Sequence, residues 1–368
     1  MRAPTDEIFV ETREHAYRAV ALVQGALRDV ASEPFDRRLA VGTIHVARVA
    51  RLVPQLGAIL DLEGGARALM DVPGRAPEQG ALLRIQIVEP PFGDKLAKAS
   101  RNLALAGRFC VLTPGGKGGA ISKRLVGPKR EALGEMAARL VQEGEGLNLR
   151  LAAAYVAAER VEAELAKLRA TAATLAGELG SQPRMLLADD PFAALLRTLA
   201  PQDTPAIFCD TPEALRAARE GLAELFADVA GFVARVADPK LFERYGIGDI
   251  LASAEATRVD LAGGAWLAIE PTAALVAIDV NQGNSRQSPL EVNLAAAREI
   301  GRQLRLRDLG GLVAVDFLRM AKPGERTRTL EAAKHATQSD RRRVDVLGFT
   351  PGGIVEMTRA RARGGLVD

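Results

Sequence analysis

Two stretches decide the fold of this chain: residues 275–281 (LVAIDVN) and residues 312–317 (LVAVDF). Each is a run of apolar and β-branched residues that carries an aspartate near its end, and a helical stretch joins the two. Such runs are typical of buried strands. In α/β sheets, the catalytic and ligand-binding residues lie at the C-terminal ends of the strands. The sequence therefore predicts a mixed α/β (α+β) fold with a functional site at this sheet edge.

Three polar residues on these strands are candidates for a metal site. Asp279 and Asn281 are two apart in a strand, so their side chains project from the same face. Asp316 ends a strand that a right-handed crossover can place beside the first. Two carboxylates and a carboxamide oxygen suit Mg²⁺ or Mn²⁺, which can polarise a phosphodiester and lower the pKa of an attacking water. In the structural alternative, one aspartate caps a helix or turn and the other pairs with an arginine.

The composition is that of a globular protein with several subdomains. A chain of 368 residues with 48% hydrophobic and 26% charged residues predicts two or three folded units. The net charge of +3 permits a polyanionic partner without requiring one. The cysteines, Cys110 and Cys209, are expected to be buried thiols in a reducing compartment. There is no apolar signal core and no run of about 18 apolar residues, so we expect a cytoplasmic protein without a membrane partner.

Strand and helix patterns divide the chain further. Residues 7–35 predict a meander of short strands, and closely spaced strands between residues 41 and 111 predict a small β-barrel of the OB type. Residues 149–180 are rich in alanine at helical spacing and predict one long or two abutting helices. Strands and helices alternate in the C-terminal part, where Asn293 is expected to cap a helix.

Arginines are dense around the acidic strands. Guanidinium groups stay charged and bind phosphates bidentately, so such a cluster beside a metal site fits a nucleic-acid backbone. The alternative is a solvated helix face on which Glu299, Asp308 and Asp340 pair with several of the arginines. The cluster comprises Arg302, Arg305, Arg307, Arg341, Arg342, Arg343, Arg359, Arg361 and Arg363.

A second basic segment, residues 114–124 (PGGKGGAISKR), is rich in glycine. Its backbone N–H groups could cradle a phosphate, although the spacing is not that of a P-loop. A flexible basic hairpin is the alternative. The histidines, His15, His45 and His335, are scattered, so neither a histidine metal site nor a Ser-His-Asp triad is predicted.

In their amino-acid sequence, these stretches resemble the ribonuclease E/G family. Residues 275–281 followed by residues 293–317 closely match the catalytic signature of that family, and residues 355–359 (VEMTR) are similar to a further motif. Weaker similarity covers nearly the whole chain. The resemblance implies an endoribonuclease that cleaves single-stranded RNA with Mg²⁺ (or Mn²⁺). It makes Asp279 and Asp316 the metal ligands and catalytic residues, with Asn281 supporting them.

The resemblance also implies an order of subdomains. An RNase H-like part is interrupted by an OB-type RNA-binding barrel and a sensor region for the RNA 5′ end, and a DNase I-like catalytic subdomain closes the chain. The expected ranges are 1–38 for the first RNase H-like strands, 39–111 for the barrel, 112–184 for the sensor-like region, 185–245 for the RNase H-like return and 246–368 for the catalytic subdomain.

Contacts with RNA are implied at positions of three kinds. Some match the 5′ sensor of the family, two belong to the glycine-rich segment, and others are arginines of the catalytic part. These residues are Gly107, Val111, Lys123, Arg124, Arg150, Arg305, Arg307 and Arg359.

The chain departs from the family pattern where RNA binding is concerned. Leu151 replaces a sensor threonine whose hydroxyl is expected to hold a terminal phosphate. Ile59 and Leu69 replace two barrel aromatics, which removes base stacking worth about 1–3 kcal/mol per base. Pro351 stands where the family usually has an arginine, and Arg319 where it often has an aspartate.

These departures leave more than one function open. The leading interpretation is a Mg²⁺-dependent endoribonuclease of RNA processing and decay. The alternatives are a catalytically impaired RNA-binding paralogue and a scaffold whose RNA contact is incidental. The cysteine motif that links family subunits through zinc does not occur, so we expect no zinc and no zinc-linked dimer. Leu151 predicts weak discrimination between 5′-monophosphate and other RNA ends.

Overall fold

The computed structural model of the chain describes residues 6–23, 25–91, 95–122, 127–199, 206–225, 233–320, 322–338, 340 and 342–360. The chain divides into two units, each with its own core. We name them the split unit, residues 1–32 and 198–368, and the inserted unit, residues 33–197.

In the described ranges, a series of strands up to residue 121 precedes the first α-helix, and helices and strands are interspersed after it. In chain order the strands are β1 Asp6–Thr12, β2 Ala16–Val23, β3 Ala26–Pro34, β4 Ile44–Val53, β5 Gly57–Asp61, β6 Arg67–Met70, β7 Leu82–Glu89, β8 Ala97–Ser100, β9 Leu105–Ala106, β10 Cys110–Pro114, β11 Gly118–Ile121, β12 Glu145–Leu149, β13 Arg184–Leu187, β14 Ala206–Cys209, β15 Val233–Ala237, β16 Arg258–Asp260, β17 Trp266–Pro271, β18 Leu275–Asn281, β19 Gly311–Asp316, β20 Val344–Phe349 and β21 Val355–Arg359. The helices are α1 Pro128–Leu140, α2 Ala158–Leu175, α3 Pro191–Leu199, α4 Pro212–Leu225, α5 Leu241–Arg244, α6 Ile247–Glu255, α7 Pro289–Leu306 and α8 Pro323–Thr337.

The inserted unit contains a closed barrel. Strands β4, β5, β6, β8 and β7 pair in that order, β7 pairs back onto β4, and β13 adds to β4 outside the ring. Alternating residues such as Val49, Leu60 and Ile85 fill the interior and are fully buried or nearly so. The OB-like barrel expected from the short, closely spaced strands is thus confirmed.

A second sheet of the inserted unit has the order β11-β12-β10-β9. Its core is completed by α1 and α2, which contribute Leu133, Val161 and Leu165. The glycine-rich segment does not form a hairpin, because β10 and β11 lie on opposite sides of β12. The helical prediction for residues 149–180 is only partly right: β12 ends at Leu149, a short 3₁₀ turn follows, and a single helix begins at Ala158.

One sheet of the split unit joins both of its chain segments. Its order is β15-β14-β1-β2-β3, with β1 parallel to β14 and antiparallel to β2. Phe9 is fully buried at its centre, with its ring centroid 5.0 Å from that of Phe208 and 4.8 Å from that of Tyr245. The strands expected in residues 7–35 are therefore present, and β14 returns from far along the chain to complete the sheet.

The other sheet of the split unit, which we name the acidic sheet, has the order β16-β17-β18-β19-β21-β20. Its β18 and β19 are parallel and are connected through α7. The side chains of Val292, Ala296, Ile300 and Leu304 recur at helical spacing along α7 and are buried against the sheet. Amphipathic packing of this kind covers one face of the acidic sheet, and α7 leaves the other face accessible to a ligand.

The start of α7 corrects one prediction. Ser288 caps the helix and forms a capping box with Glu291, whose carboxylate accepts from the Ser288 backbone N–H at 2.8 Å. This bond holds the pKa of Glu291 below its ordinary value. Asn293 is inside the helix and fully buried, so it is not the cap. The serine three residues before a glutamate, followed by an apolar stripe, is the stronger signal for a helix start.

Each unit holds one cysteine, Cys110 in the inserted unit and Cys209 in the split unit, and both are free, buried thiols. Among the helices that the structure describes, none has the length and hydropathy needed to cross a bilayer.

Candidate active site

The two predicted aspartates lie side by side on parallel strands. In the register of β18 and β19, Asp279 is directly opposite Asp316. Both side chains are exposed, whereas Ile278 and Val315, one position earlier, are buried on the helix-covered face. Because adjacent strands are about 4.8 Å apart, the two carboxylates are close enough to contact one ion or one phosphate group.

Asn281 completes this group from the same strand and face. Its Nδ2 atom donates a hydrogen bond of 2.9 Å to Asp279 Oδ2. This contact orients the Asp279 carboxylate. It leaves the side-chain oxygen of Asn281, Oδ1, available to a ligand. Three alanines adjoin the pair, since Ala268 is opposite Asp279, and Ala277 and Ala314 occupy the row behind it. The acidic pair is therefore open to a large substrate.

A buried amide holds the segment that follows β19. Asn293 on α7 donates from Nδ2 to the Leu318 carbonyl oxygen at 2.9 Å and accepts from the Leu318 N–H at 3.0 Å. This two-bond clamp fixes the backbone two residues after Asp316. The sequence analysis missed the role of Asn293, because its partner comes from a distant part of the chain and leaves no local signal.

The acidic pair fits a hard divalent cation. Mg²⁺ is commonly bound through one or two carboxylates together with water and substrate phosphates. Within the described ranges, no three His, Cys, Asp or Glu side chains form a group that could hold a metal ion. Asp279 and Asp316 would thus need oxygen atoms from Asn281, water or a phosphate to complete the coordination sphere.

Two of the arginines expected to bind RNA have structural positions instead. Arg359 is fully buried: its Nε atom is 2.9 Å from Asp340 Oδ2, and its Nη1 atom is 3.0 Å from Asp308 Oδ1. Arg307 is 7% exposed and donates to Gln303 Oε1 and to the Ala256 carbonyl oxygen, each at 2.7 Å. Both guanidinium groups are buried and pair within the fold, and RNA binding by these two residues stays a prediction.

Other members of the arginine cluster also pair with acids. Arg302 binds Glu299, Arg342 binds Asp308, and Arg343 binds Asp345. Arg305 is half-buried and donates to the Ala336 carbonyl oxygen at 3.2 Å. This agrees with the alternative in which acidic neighbours neutralise several arginines. Arg341, Arg361 and Arg363 lie outside the described residues.

Three positions that match the sensor pattern lie on or directly beside neighbouring strands of the second sheet of the inserted unit. Arg150 donates from Nη1 to the Gly107 carbonyl oxygen at 2.7 Å, and Val111 lies on β10. The Glu164 carboxylate accepts hydrogen bonds from the backbone N–H groups of residues 108, 109 and 110 at 2.7, 2.7 and 3.0 Å. A Cβ at position 107 would overlap this carboxylate, so Gly107 is required for the contact. Lys123 and Arg124 lie outside the described residues.

The residues that differ from the family pattern lie on the barrel, at the 3₁₀ turn and near the acidic sheet. Ile59 on β5 and Leu69 on β6 are a directly opposed cross-strand pair, and both are half-buried on the outer side of the barrel. Leu151 opens the 3₁₀ turn and packs against the apolar core of the inserted unit. Pro351 is in the exposed turn between β20 and β21, and Arg319 is exposed just after β19.

The fold and the site together define a mixed α/β protein with an OB-like barrel in one unit and an open carboxylate pair in the other. The family model described as the Ribonuclease E/G family matches residues 104–362, more than half of the chain. The chain belongs to the ribonuclease E/G family.

Named relatives agree with this membership. Ribonuclease G of Salmonella typhimurium (strain SL1344) is 27% identical over 393 residues, which cover 98% of this chain and 80% of the relative. Ribonuclease E of Nostoc sp. is 32% identical over 301 residues, covering 78% of this chain and 43% of that protein. The chloroplastic ribonuclease E/G-like protein of Arabidopsis thaliana is 33% identical over 310 residues, covering 77% and 31%.

Proposed function

We propose that this chain is an endoribonuclease of RNA processing that cleaves single-stranded RNA at the Asp279–Asp316 pair with the help of Mg²⁺ or Mn²⁺. The observation that carries the proposal is the direct register of the two exposed aspartates on adjacent parallel strands. Membership of the ribonuclease E/G family, and relatives named ribonuclease G and ribonuclease E, support the RNA substrate.

The roles of the residues follow from their positions. Asp279 and Asp316 would hold the metal ion, and Asn281 keeps the Asp279 carboxylate in place through its 2.9 Å hydrogen bond. When bound, the ion would polarise the scissile phosphate and lower the pKa of a water molecule. The buried helix-covered face beneath the strands provides a rigid base for these side chains.

The finer organisation is part of the same proposal. We assign the RNase H-like part to the five-stranded sheet of the split unit and the DNase I-like catalytic subdomain to the acidic sheet with α7 and α8. The sensor-like region corresponds to the second sheet of the inserted unit, and the barrel would bind single-stranded RNA. A cytoplasmic location, and assembly without a zinc link, belong to the same proposal.

The test compares the parent chain with Asp279→Asn and Asp316→Asn on a 5′-monophosphorylated, A/U-rich single-stranded RNA. Each substitution removes a ligand charge at an exposed position, so we expect loss of Mg²⁺-dependent cleavage by about 100-fold or more with an unchanged thermal midpoint. Electron paramagnetic resonance of Mn²⁺ gives a second readout, in which both variants bind less of the ion. Cleavage by either variant at the parental rate would contradict the metal role.

Asp345→Asn is the matched control. Asp345 is on β20 of the same sheet, pairs with Arg343, and is distant from β18 in strand order. The variant also loses one carboxylate charge, so a drop in its activity would point to the overall charge of the sheet. We expect it to cleave like the parent.

The second candidate is a catalytically impaired RNA-binding paralogue. It is favoured by the Ile59–Leu69 pair, which puts aliphatic side chains on the barrel surface where stacking would need aromatic rings. Salt-dependent binding of the same RNA by the parent chain, without product when Mg²⁺ or Mn²⁺ is added, would decide for this candidate.

A further inference from the structure

The chain has a single tryptophan, and it is located next to the acidic pair. Trp266 on β17 is directly opposite Asn281, and Asp279 is its diagonal neighbour on β18. Its neighbour Leu267 is fully buried on the helix-covered face, so the half-buried indole is on the same face as the carboxylates. Diagonal pairs of this kind are about 7–8 Å apart, which is within reach of a nucleotide bound at the acidic pair.

An arginine is stacked on this indole. The Arg258 Cζ atom lies 4.6 Å from the centroid of the Trp266 ring. Asp260 fixes the guanidinium by accepting from Arg258 Nε at 2.8 Å, and the Arg258 side chain is 59% exposed. Aromatic rings and guanidinium planes are the two kinds of side chain on which unpaired RNA bases stack. The stack thus offers a flat, cationic surface at the rim of the site.

The loop after Asn281 is shaped around the indole. Gly283 has φ +53°, and a Cβ there would be 3.2 Å from Trp266 Cδ1 and would overlap the Gly264 carbonyl oxygen. The same oxygen accepts a hydrogen bond of 3.2 Å from the Asn284 N–H. A side chain at position 283 would push this loop away from the tryptophan, so the glycine is required for the close approach.

A shallow depression adjoins this loop. Arg286 is exposed and forms no ion pair with any residue in the described part of the chain. Its guanidinium can therefore contact a phosphate without first losing a partner. The depression is lined by Gly263, Asn284, Arg286, Gln287 and Glu291.

We propose that Trp266 and Arg258 form a nucleobase-binding subsite, in which one base of single-stranded RNA stacks beside the scissile phosphodiester and Arg286 contacts the phosphate of that nucleotide. The inference rests on the proposed RNA substrate. It also provides base stacking in a chain whose barrel carries Ile59 and Leu69 at the stacking positions. Stacking on an aromatic face tolerates any base, so the subsite would hold the strand without reading its sequence.

The first experiment uses the fluorescence of Trp266 in the full-length Asp316→Asn variant, which keeps RNA intact during the titration. Because the chain has no other tryptophan, all of the indole signal comes from this site. A short single-stranded RNA is expected to quench the signal saturably, and a duplex of the same sequence, whose base faces are already stacked, is expected not to. Absence of quenching by an RNA that binds in a filter assay would overturn the subsite.

The second experiment is kinetic. Trp266→Leu is expected to raise KM for single-stranded RNA by about five- to a hundredfold with a smaller change in kcat, because the stack binds substrate and transition state alike. Trp266→Tyr keeps an aromatic face and should restore most of the affinity. Arg258→Ala should change KM in the same direction.

Matched controls come from another arginine–aromatic pair, in which Arg326 of α8 packs on Phe349 of the acidic sheet. Arg326 Cζ lies 5.2 Å from the centroid of the Phe349 ring, and Phe349 packs against the core on the helix-covered face. Arg326→Ala and Phe349→Leu are expected to keep the parental KM.

A parental KM in Trp266→Leu would overturn the subsite even if the chain cleaves RNA. Quenching by RNA in a parent that does not cleave would support the subsite and contradict the proposed activity.

Discussion

At the scale of single residues, the structure distinguishes side chains that are exposed at a candidate site from side chains that pack in the core and stabilise the fold. Leu151 is an example at the sensor-like end of the inserted unit. It follows Arg150, whose guanidinium donates to the Gly107 carbonyl oxygen, and its own side chain turns toward the apolar core. No hydroxyl is present at this position to accept or donate a hydrogen bond with a terminal phosphate.

We therefore expect the parent chain to discriminate weakly between RNA with a 5′-monophosphate and RNA with a 5′-hydroxyl. Leu151→Thr should increase this preference, because a hydrogen bond to a charged group contributes about 1.5–3 kcal/mol. The measurement is the ratio of kcat/KM for matched substrates with the two ends, which should rise on the order of tenfold.

Leu151→Val is the control for this change. Valine has the shape of threonine but no hydroxyl, so the loss of packing is the same in both variants. A rise of the ratio in Leu151→Val as large as in Leu151→Thr would show that the hydroxyl is not responsible.

At the scale of elements, α7 both covers the acidic sheet and positions the end of β19. Its capping box at Ser288 fixes where the helix begins, and Asn293 then reaches the backbone of Leu318 with two hydrogen bonds. The helix thereby couples the β18–β19 connection to the segment that follows Asp316. Asn293 is a positioning residue, since it acts through the backbone and does not touch the acidic pair.

Asn293→Ala is expected to lower the free energy of unfolding by about 1–3 kcal/mol, because the Leu318 N–H and carbonyl group lose their partner. It should also raise the Mg²⁺ concentration needed for half-maximal cleavage, measured well below the thermal midpoint. This metal dependence is the readout that distinguishes positioning from simple loss of stability.

Gln303→Ala provides the comparison on the same helix. Gln303 is also a buried amide, 2% exposed, but it binds Glu299 and Arg307 at the other end of α7. We expect a similar loss of stability with an unchanged Mg²⁺ requirement. An equal shift of the requirement in both variants would argue against the positioning role of Asn293.

The sequence was informative wherever a local pattern carries the structure. Alternating or continuous apolar runs predicted β18, β19 and the barrel strands, and the spacing of Asp279 and Asn281 placed both on one face. The burial of Arg359 and the clamp made by Asn293 depend on partners far along the chain, so no local pattern could reveal them. The helix start at Ser288 was a missed local signal, because the serine and glutamate of the box are visible in the sequence.

At the scale of the whole molecule, buried charges hold the acidic sheet and its helices together. Asp308 follows α7, Asp340 follows α8, and Arg359 ends β21, so their ion pairs join three elements in one network. Arg342 also binds Asp308 and is largely buried. A guanidinium in such a network stabilises the fold, and it would have to leave these partners to contact RNA.

Arg359→Lys is expected to lower the free energy of unfolding by roughly 1–3 kcal/mol, because an ammonium cannot make the forked hydrogen bonds of a guanidinium. RNA affinity measured below the midpoint should keep the parental dependence on salt. Urea unfolding and salt titrations of RNA binding are the measurements.

Arg319→Gln supplies the contrast, since Arg319 is exposed three residues after Asp316 and forms no ion pair with any described residue. Loss of a phosphate contact there should reduce the slope of log affinity against log salt by about one. If the slope fell by the same amount in Arg359→Lys, the result would indicate that Arg359 contacts RNA.

The placement of one buried cysteine in each unit has a practical consequence. Burial raises the pKa of both thiols to about 12, and Glu164 adds to the effect at Cys110. Since the thiolate is the reactive form, neither residue reacts readily while its unit is folded. The rate at which an alkylating reagent modifies Cys110 or Cys209 in increasing urea therefore reports the opening of the unit that contains it. Mass spectrometry of the two peptides would give the order in which the units lose structure, without any engineered label.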